Sequence, residues 1–284
     1  MSGGYPFTPD TTFSDNSVPK VTAGHLNRWQ NVDNALAWAA YHQRPQAISR
    51  CTNSADVIVS VAPMMILDAA LNIYTYCAWD DTTLTPAQLE TPAASWPSDK
   101  WLYVYAYSDS RIGKMAVSET APAVIMPAVG VSMPHKLWKT GDETRRLVAE
   151  FRTDGAGNVL RFKQQNQRCR YLDKQTALAV TTAGAGWTTY NSVDLSAYVP
   201  PQAQMVDLLA ELSHKAAGGN IFQLSSDGSG TPLDAVQVSA WEGSGYSQRI
   251  KQATIELPLL TTSISARITT ATAAIKLDVL GYAV

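Results

Sequence analysis

The chain is short of charge. Asp, Glu, Lys and Arg make up 16% of its 284 residues, and 22 basic side chains nearly balance 24 acidic ones, for a net charge of −2. So even a balance leaves no overall basic field to draw in nucleic acid or an anionic membrane. Cysteine is scarce too. Cys51, Cys77 and Cys169 are odd in number, far apart and form no C-x-x-C pair. That argues against a disulfide framework and for buried free thiols. The four histidines, His25, His42, His135 and His214, stand alone. No H-E-x-x-H or Cys/His set marks a metal site. Neither a G-x-S-x-G elbow nor a G-x-x-x-x-G-K-[ST] loop occurs. These absences speak against an enzyme, and no metal or other cofactor is implied. Long apolar runs are missing as well. The best, "AVIMPAVGVSM" at 123–133, is short and broken by Pro127 and Gly130, so no membrane insertion is expected. The N-terminus has no basic n-region and no apolar h-region, which predicts a protein made and folded in a cytoplasm.

What is present is 45% hydrophobic, with much Thr, Ser and Ala. That mixture suits strands with uncharged polar outer faces. Residues 1–21 carry Gly3, Gly4, Pro6, Pro9 and Pro19 and read as an extended arm. A helix is predicted over 22–43, with Thr22 as its N-cap and Pro45 as its stop. Leu26, Trp29, Leu36 and Ala40 recur on one face. This stripe either packs on its own domain or meets copies of itself. Asp33 interrupts the heptad, so an isolated coiled coil would be weak.

Beyond the helix the period changes to two. "DVIVSV" at 56–61 and "LNIYTYCAW" at 71–79 read as strands. In "WLYVYAY", 101–107, Trp101, Tyr103, Tyr105 and Tyr107 share one face and Leu102, Val104 and Ala106 the other. An aromatic row can stack on sugar rings or pack across strands in a core. The stretch 80–100 reads as a Pro-rich loop. Its acids Asp80, Asp81 and Glu90 could pair in a cleft or simply be solvated. From about 171 onward, apolar residues alternate at 236–240, 255–259, 264–268 and 275–279, which argues an antiparallel sandwich. "QMVDLLAELSH", 204–214, fits a strand or a helix, and its context favours a strand. The expected organisation is an attachment arm and helix over 1–44, a β domain over 45–170 with a hairpin at 147–164, and a β-sandwich over 171–284. The fold class is mainly β.

"AEFRTDGAGNVLRFKQ", 149–164, has a phosphate-loop look, with Gly155 and Gly157 between Arg152 and Arg161. Phosphate binding needs a helix N-terminus after the glycines. The residues after Gly157 are strand-like instead, so the segment reads as a turn whose glycines supply positive φ. "SDGSG", 226–230, repeats the habit.

Three motifs then line up: "T-A-G-H-L-N-R-W" at 22–29, "W-L-Y-V-Y" at 101–105 and "V-A-E-F-R-T-D-G-A-G-N-V-L-R-F" at 148–162. Together with "GWTTYNSVDLSAYVPPQAQMVDL" at 186–208 and the ending "LDVLGYAV", the chain resembles tail-fibre and receptor-binding structural proteins of tailed bacteriophages. One departure is Glu150, where a Gly often stands, a change expected to cost little in a strand. The resemblance implies a virion protein assembled in the bacterial cytoplasm, usually a homotrimer. Its arm would dock on another virion protein, and Leu26, Trp29 and Leu36 would face the threefold axis. Recognition of a host-surface glycan or protein would fall to loops of the 171–284 sandwich. Trp241 and Tyr246, then Trp187 and Tyr190, are the aromatic candidates there, each beside Gly or Ser. A capsid decoration protein or head fibre is the alternative, and a glycan-binding or depolymerising module a second one.

Overall fold

The computed structural model describes residues 46–284 except 69, 72, 126–135, 182–184, 215–217, 227–234, 243–248 and 270–272. The expected arm and helix, with Leu26, Trp29 and Leu36, lie outside the described residues. The rest is mainly β, as expected. In chain order the strands are β1 (Ala47–Cys51), β2 (Val57–Asp68), β3 (Ile73–Leu84), β4 (Trp101–Asp109), β5 (Ile112–Ser118), β6 (Pro122–Ile125), β7 (Lys136–Lys139), β8 (Asp142–Arg152), β9 (Phe162–Gln165), β10 (Arg168–Val180), β11 (Asn191–Asp194), β12 (Met205–His214), β13 (Gly218–Ser225), β14 (Ala235–Glu242), β15 (Arg249–Pro258), β16 (Ser263–Ile268) and β17 (Ala274–Ala283). They form antiparallel sheets. One has eight strands in the order β15-β12-β17-β10-β9-β1-β2-β3, one has five, β5-β4-β8-β7-β6, and one has four, β11-β16-β13-β14.

The eight-stranded sheet has one buried face, and its register shows why. Cross-strand partners point to the same side of a sheet. One row runs Val59, Ser49, Gln164, Cys169, Tyr282, Val206 and Leu257 across β2, β1, β9, β10, β17, β12 and β15. All of these side chains are buried. At one end the five-stranded sheet covers them: Phe162 stacks on Phe151 of β8 at 6.4 Å, and Trp101 of β4 meets Tyr282 edge-on at 5.8 Å. At the other end Phe222 and Leu224 of β13 and Ile264 and Ile268 of β16 join the core of Leu208 and Leu212. The fold is therefore two sandwiches that share one long sheet. The boundary expected at 170/171 falls inside β10, which pairs with β9 on one side and β17 on the other.

Local chemistry shapes that sheet in three places. β12 alternates strictly: Val206, Leu208, Ala210 and Leu212 are fully buried, while Met205 and Leu209 between them are half-buried. The period-two reading of 204–214 is the one the chain adopts. In β2 the burial phase breaks at Ala62 and Pro63, both exposed, so that Val61 and Met64 both reach the core. The pairing with β3 shifts register at this point. A proline in an inner strand is tolerated only at such a bulge. In β17, a Cβ on Gly281 would lie 2.2 Å from the Cys169 carbonyl oxygen. Only glycine lets β17 close on β10 there.

The expected hairpin at 147–164 is shorter than the pattern suggested. Thr153 and Val159 make a single bridge; β8 then stays in the five-stranded sheet while β9 crosses to the eight-stranded one. The stretch 80–84, read as loop, continues β3.

Candidate functional site

The opposite face of the eight-stranded sheet is open to solvent over β1, β9 and β10. One row there presents Ser60, Ile48, Gln165 and Arg168 on neighbouring strands. The next presents Ile58, Arg50, Lys163 and Arg170. Three cations therefore stand side by side on three strands, about 4.8 Å apart along the row. Like charges directly opposite one another cost stability, so their placement is not explained by the ladder itself.

The cations are not equivalent. Arg50 donates to Asp81 Oδ2 at 3.0 Å, and Ser60 Oγ donates to Asp81 Oδ1 at 2.9 Å. Those bonds, Arg50 first, hold the Asp81 carboxyl below its ordinary range. Arg168 reaches Asp207 at 3.1 Å and Glu256 at 2.7 Å. It can do so because β17, the strand between, offers only Gly281 and Ala283 in those rows. Lys163 and Arg170 are exposed, and no ion pair engages either of them among the described residues.

A groove of about 500 Å³ adjoins these rows. Ala62 and Pro63 of the β2 bulge line it, as does Ile48, 47% exposed. Gln46, Gln165 and Asn166 bring side-chain amides, and Asp80 a carboxylate. Asn166 takes a left-handed backbone, φ 55°, in the tight turn from β9 to β10, a conformation Asn tolerates. Trp79 lines the groove as well, half-buried. Tyr76 stands two residues before Ala78 on edge strand β3 and is 69% exposed. The surface thus offers an exposed aromatic, an apolar side chain and several amides, the groups a binding surface would use.

The residues singled out from the sequence lie elsewhere. Of the aromatic row in β4, Tyr103 and Tyr105 are buried, Trp101 donates to the Ser196 carbonyl at 2.9 Å, and Arg145 lies 4.6 Å over Tyr107. Packing, not sugar stacking, uses that row. Trp187 is half-buried against the core. Tyr190 is half-buried, with Arg267 4.4 Å above its ring. Trp241, expected in a loop of the sandwich, belongs to strand β14, opposite Gly219; Tyr246 lies outside the described residues. Glu90 accepts from Arg145 at 2.8 Å, Ser118 at 2.7 Å and Lys139. Burial raises its pKa, and the bonds and charges of these partners more than reverse that. Glu90 thus sits apart from Asp80 and Asp81, so the three acids do not share one cleft. Among the described residues, no three His, Cys, Asp or Glu side chains converge to hold a metal ion, and no helix is long and apolar enough to cross a membrane. The three thiols are free and buried.

In the 149–164 turn, Asp154 Oδ1 accepts the backbone N–H of Ala156 at 2.9 Å and of Asn158 at 2.8 Å. Gly157 has φ +79°; Gly155 does not take a positive φ. The carboxylate occupies the N–H groups that a phosphate would need. Glu150 is no neutral strand position: it is 2% exposed and accepts from Gln164 at 3.1 Å.

No family model and no curated protein matches the chain. Two solved structures of an exo-β-1,3-galactanase from Phanerochaete chrysosporium, both with β-1,3-galactotriose, are similar to it at 9% and 10% identity, with TM-scores of 0.23 and 0.22. Each alignment covers 84% of this chain, and it spans 56% and 68% of the galactanase chains. Likeness at such scores carries no argument about activity or ligand.

Proposed function

We propose that this chain is a structural component of a bacteriophage virion, a trimeric tail fibre, spike or baseplate protein whose β body meets the host surface. The supporting observation is the open face of the shared sheet. A broad rigid sheet, buried on one side by two further sheets, presents a groove and a row of cations on the other. Such a face is available to a partner outside the chain. Two carboxylates that could have served as acids act as ion-pair partners instead: Asp81 beside the groove and Glu90 are both held below their ordinary range by cations and hydroxyls, opposite to what a general acid needs. One of the motifs that resemble tail-fibre proteins, 148–162, sits at the joint between the sandwiches, where the 153–159 turn hands the chain from one sheet to the other.

The test is immunogold labelling of purified particles of the phage that encodes the chain, with mass measurement of the purified protein. Label at the tail and a trimer in solution are expected. Label on the capsid would move the protein to the decoration or head-fibre reading. Particles without label would overturn the proposal.

A further inference from the structure

We infer that the groove and the adjoining cations form a binding site for an acidic polysaccharide that carries one carboxylate per sugar. The inference deepens the surface-contact reading above by naming a ligand class for the open face.

Two adjacent rows of one sheet face divide the work. The first row, with Ile48 and Gln165, continues into the groove, where Pro63 and Ala62 line it and Gln46 and Asn166 add amides. A pyranose ring has an apolar C–H face and a rim of hydroxyls. The apolar side chains suit the face, and amides, which both donate and accept, suit the hydroxyls. Tyr76, 69% exposed at the groove's edge strand, supplies a ring for stacking.

The second row carries the charge. Arg50, Lys163 and Arg170 follow one another across β1, β9 and β10. The rows are two residues apart along each strand, or about 7 Å, the reach from a ring to its exocyclic carboxylate and the cation beyond it. The interstrand step of about 4.8 Å is close to the length of one sugar unit, so consecutive sugars would meet consecutive cations. The negative groups here are Asp81, already held by Arg50 and Ser60, Asp173 of β10, held by Arg161, and Asp80, which lines the groove. Asp207 and Glu256 are taken up by Arg168. Lys163 and Arg170 remain to receive an anion, and the like-charge cost of placing them together is relieved when one binds.

Isothermal titration of the full chain with an oligogalacturonide tests this, against a neutral malto-oligosaccharide of equal length and against poly-glutamate. The expected result is preference for the oligogalacturonide, weakened by salt. The Lys163→Ala/Arg170→Ala double variant should bind it about tenfold more weakly. Tyr76→Ala should weaken it as well. Both variants change exposed side chains, and an unchanged unfolding midpoint establishes that they fold. No oligogalacturonide binding, or equal binding of the neutral sugar unaffected by the double variant, overturns the inference. Stronger binding of poly-glutamate also overturns it and makes the face a dock for an acidic protein segment. Each of these failures leaves the labelling result untouched, so the site and the virion role are tested apart.

Discussion

Gly157→Ala should destabilise the protein markedly, and Gly155→Ala should not. The two glycines are two residues apart in the same turn, and the sequence pattern treats them alike. Their surroundings differ. Gly157 has φ +79°, and a Cβ there would lie 2.7 Å from the Trp96 carbonyl oxygen. The left-handed conformation costs an L-residue about 1–2 kcal/mol. Relieving the contact costs about 1–3 kcal/mol more, because the obstacle is backbone. Trp96 has little room to yield: it is 5% exposed, lies edge-on to Phe151 at 5.2 Å and donates its indole N–H to the Ala55 carbonyl at 2.8 Å. Ala restricts the unfolded chain more than Gly and returns about 0.4–1 kcal/mol. The net loss is about 1–4.5 kcal/mol, or roughly 2–18 °C in Tm for a body of this size. At Gly155 the nearest atom is Asp99 Oδ2 at 3.3 Å, the end of an exposed side chain that can swing aside. The change there should stay within about 0.5 kcal/mol. Thermal unfolding followed by near-ultraviolet circular dichroism reads both variants. Equal losses, or a Gly157→Ala protein that melts with the parent, would refute the reasoning.

Gln164→Leu removes the amide that donates to buried Glu150 and accepts from Ser49 at 2.9 Å; it should cost about 1–3 kcal/mol, measured by urea unfolding, and a neutral result would mean that water or other partners suffice. Glu90→Gln should lower stability at neutral pH and cost less as the solution is acidified. The folded-state pKa of Glu90 is depressed, so its contribution is present above the ordinary value of 4.5 and is lost as pH falls through the folded one; a Tm gap that widens in acid would contradict this. Burial pushes the thiols of Cys51, Cys77 and Cys169 up, so a disulfide reagent should label none of them quickly in the native protein and all three in denaturant. Fast labelling of any one in the native state would show that its burial is not maintained.

A fragment beginning at 171 would start inside β10 and strip β9 from its partner, so the sandwich is not a free-standing module. That joint is where sequence and structure part. Local pattern was enough for the class and for most strands: Val206, Leu208, Ala210 and Leu212 alternate whatever they pack against, because a strand's side chains change sides at every residue. The 153–159 turn was legible for the same reason, since Asp, Gly and Asn are chosen by backbone geometry. The single bridge after it was not legible, because the sheet that β9 joins depends on β1 and β10. The open face was hidden more deeply still. Ile48, Pro63, Gln165 and Tyr76 have no common spacing, and Arg50, Lys163 and Arg170 are ordinary surface cations taken singly. Only the register of β1 between β2 and β9 and of β9 against β10 sets the cations side by side, while the Pro63 bulge shifts β3 on the far side of β2. Likewise the aromatics of β4 announce a ring-bearing strand, but whether its rings meet solvent or core was decided by neighbours distant in the chain, Leu147 and Ala121 against Tyr103 and Tyr105. Strand identity is a property of neighbouring residues; which faces meet, and which stay open, is a property of pairings between residues far apart in the chain.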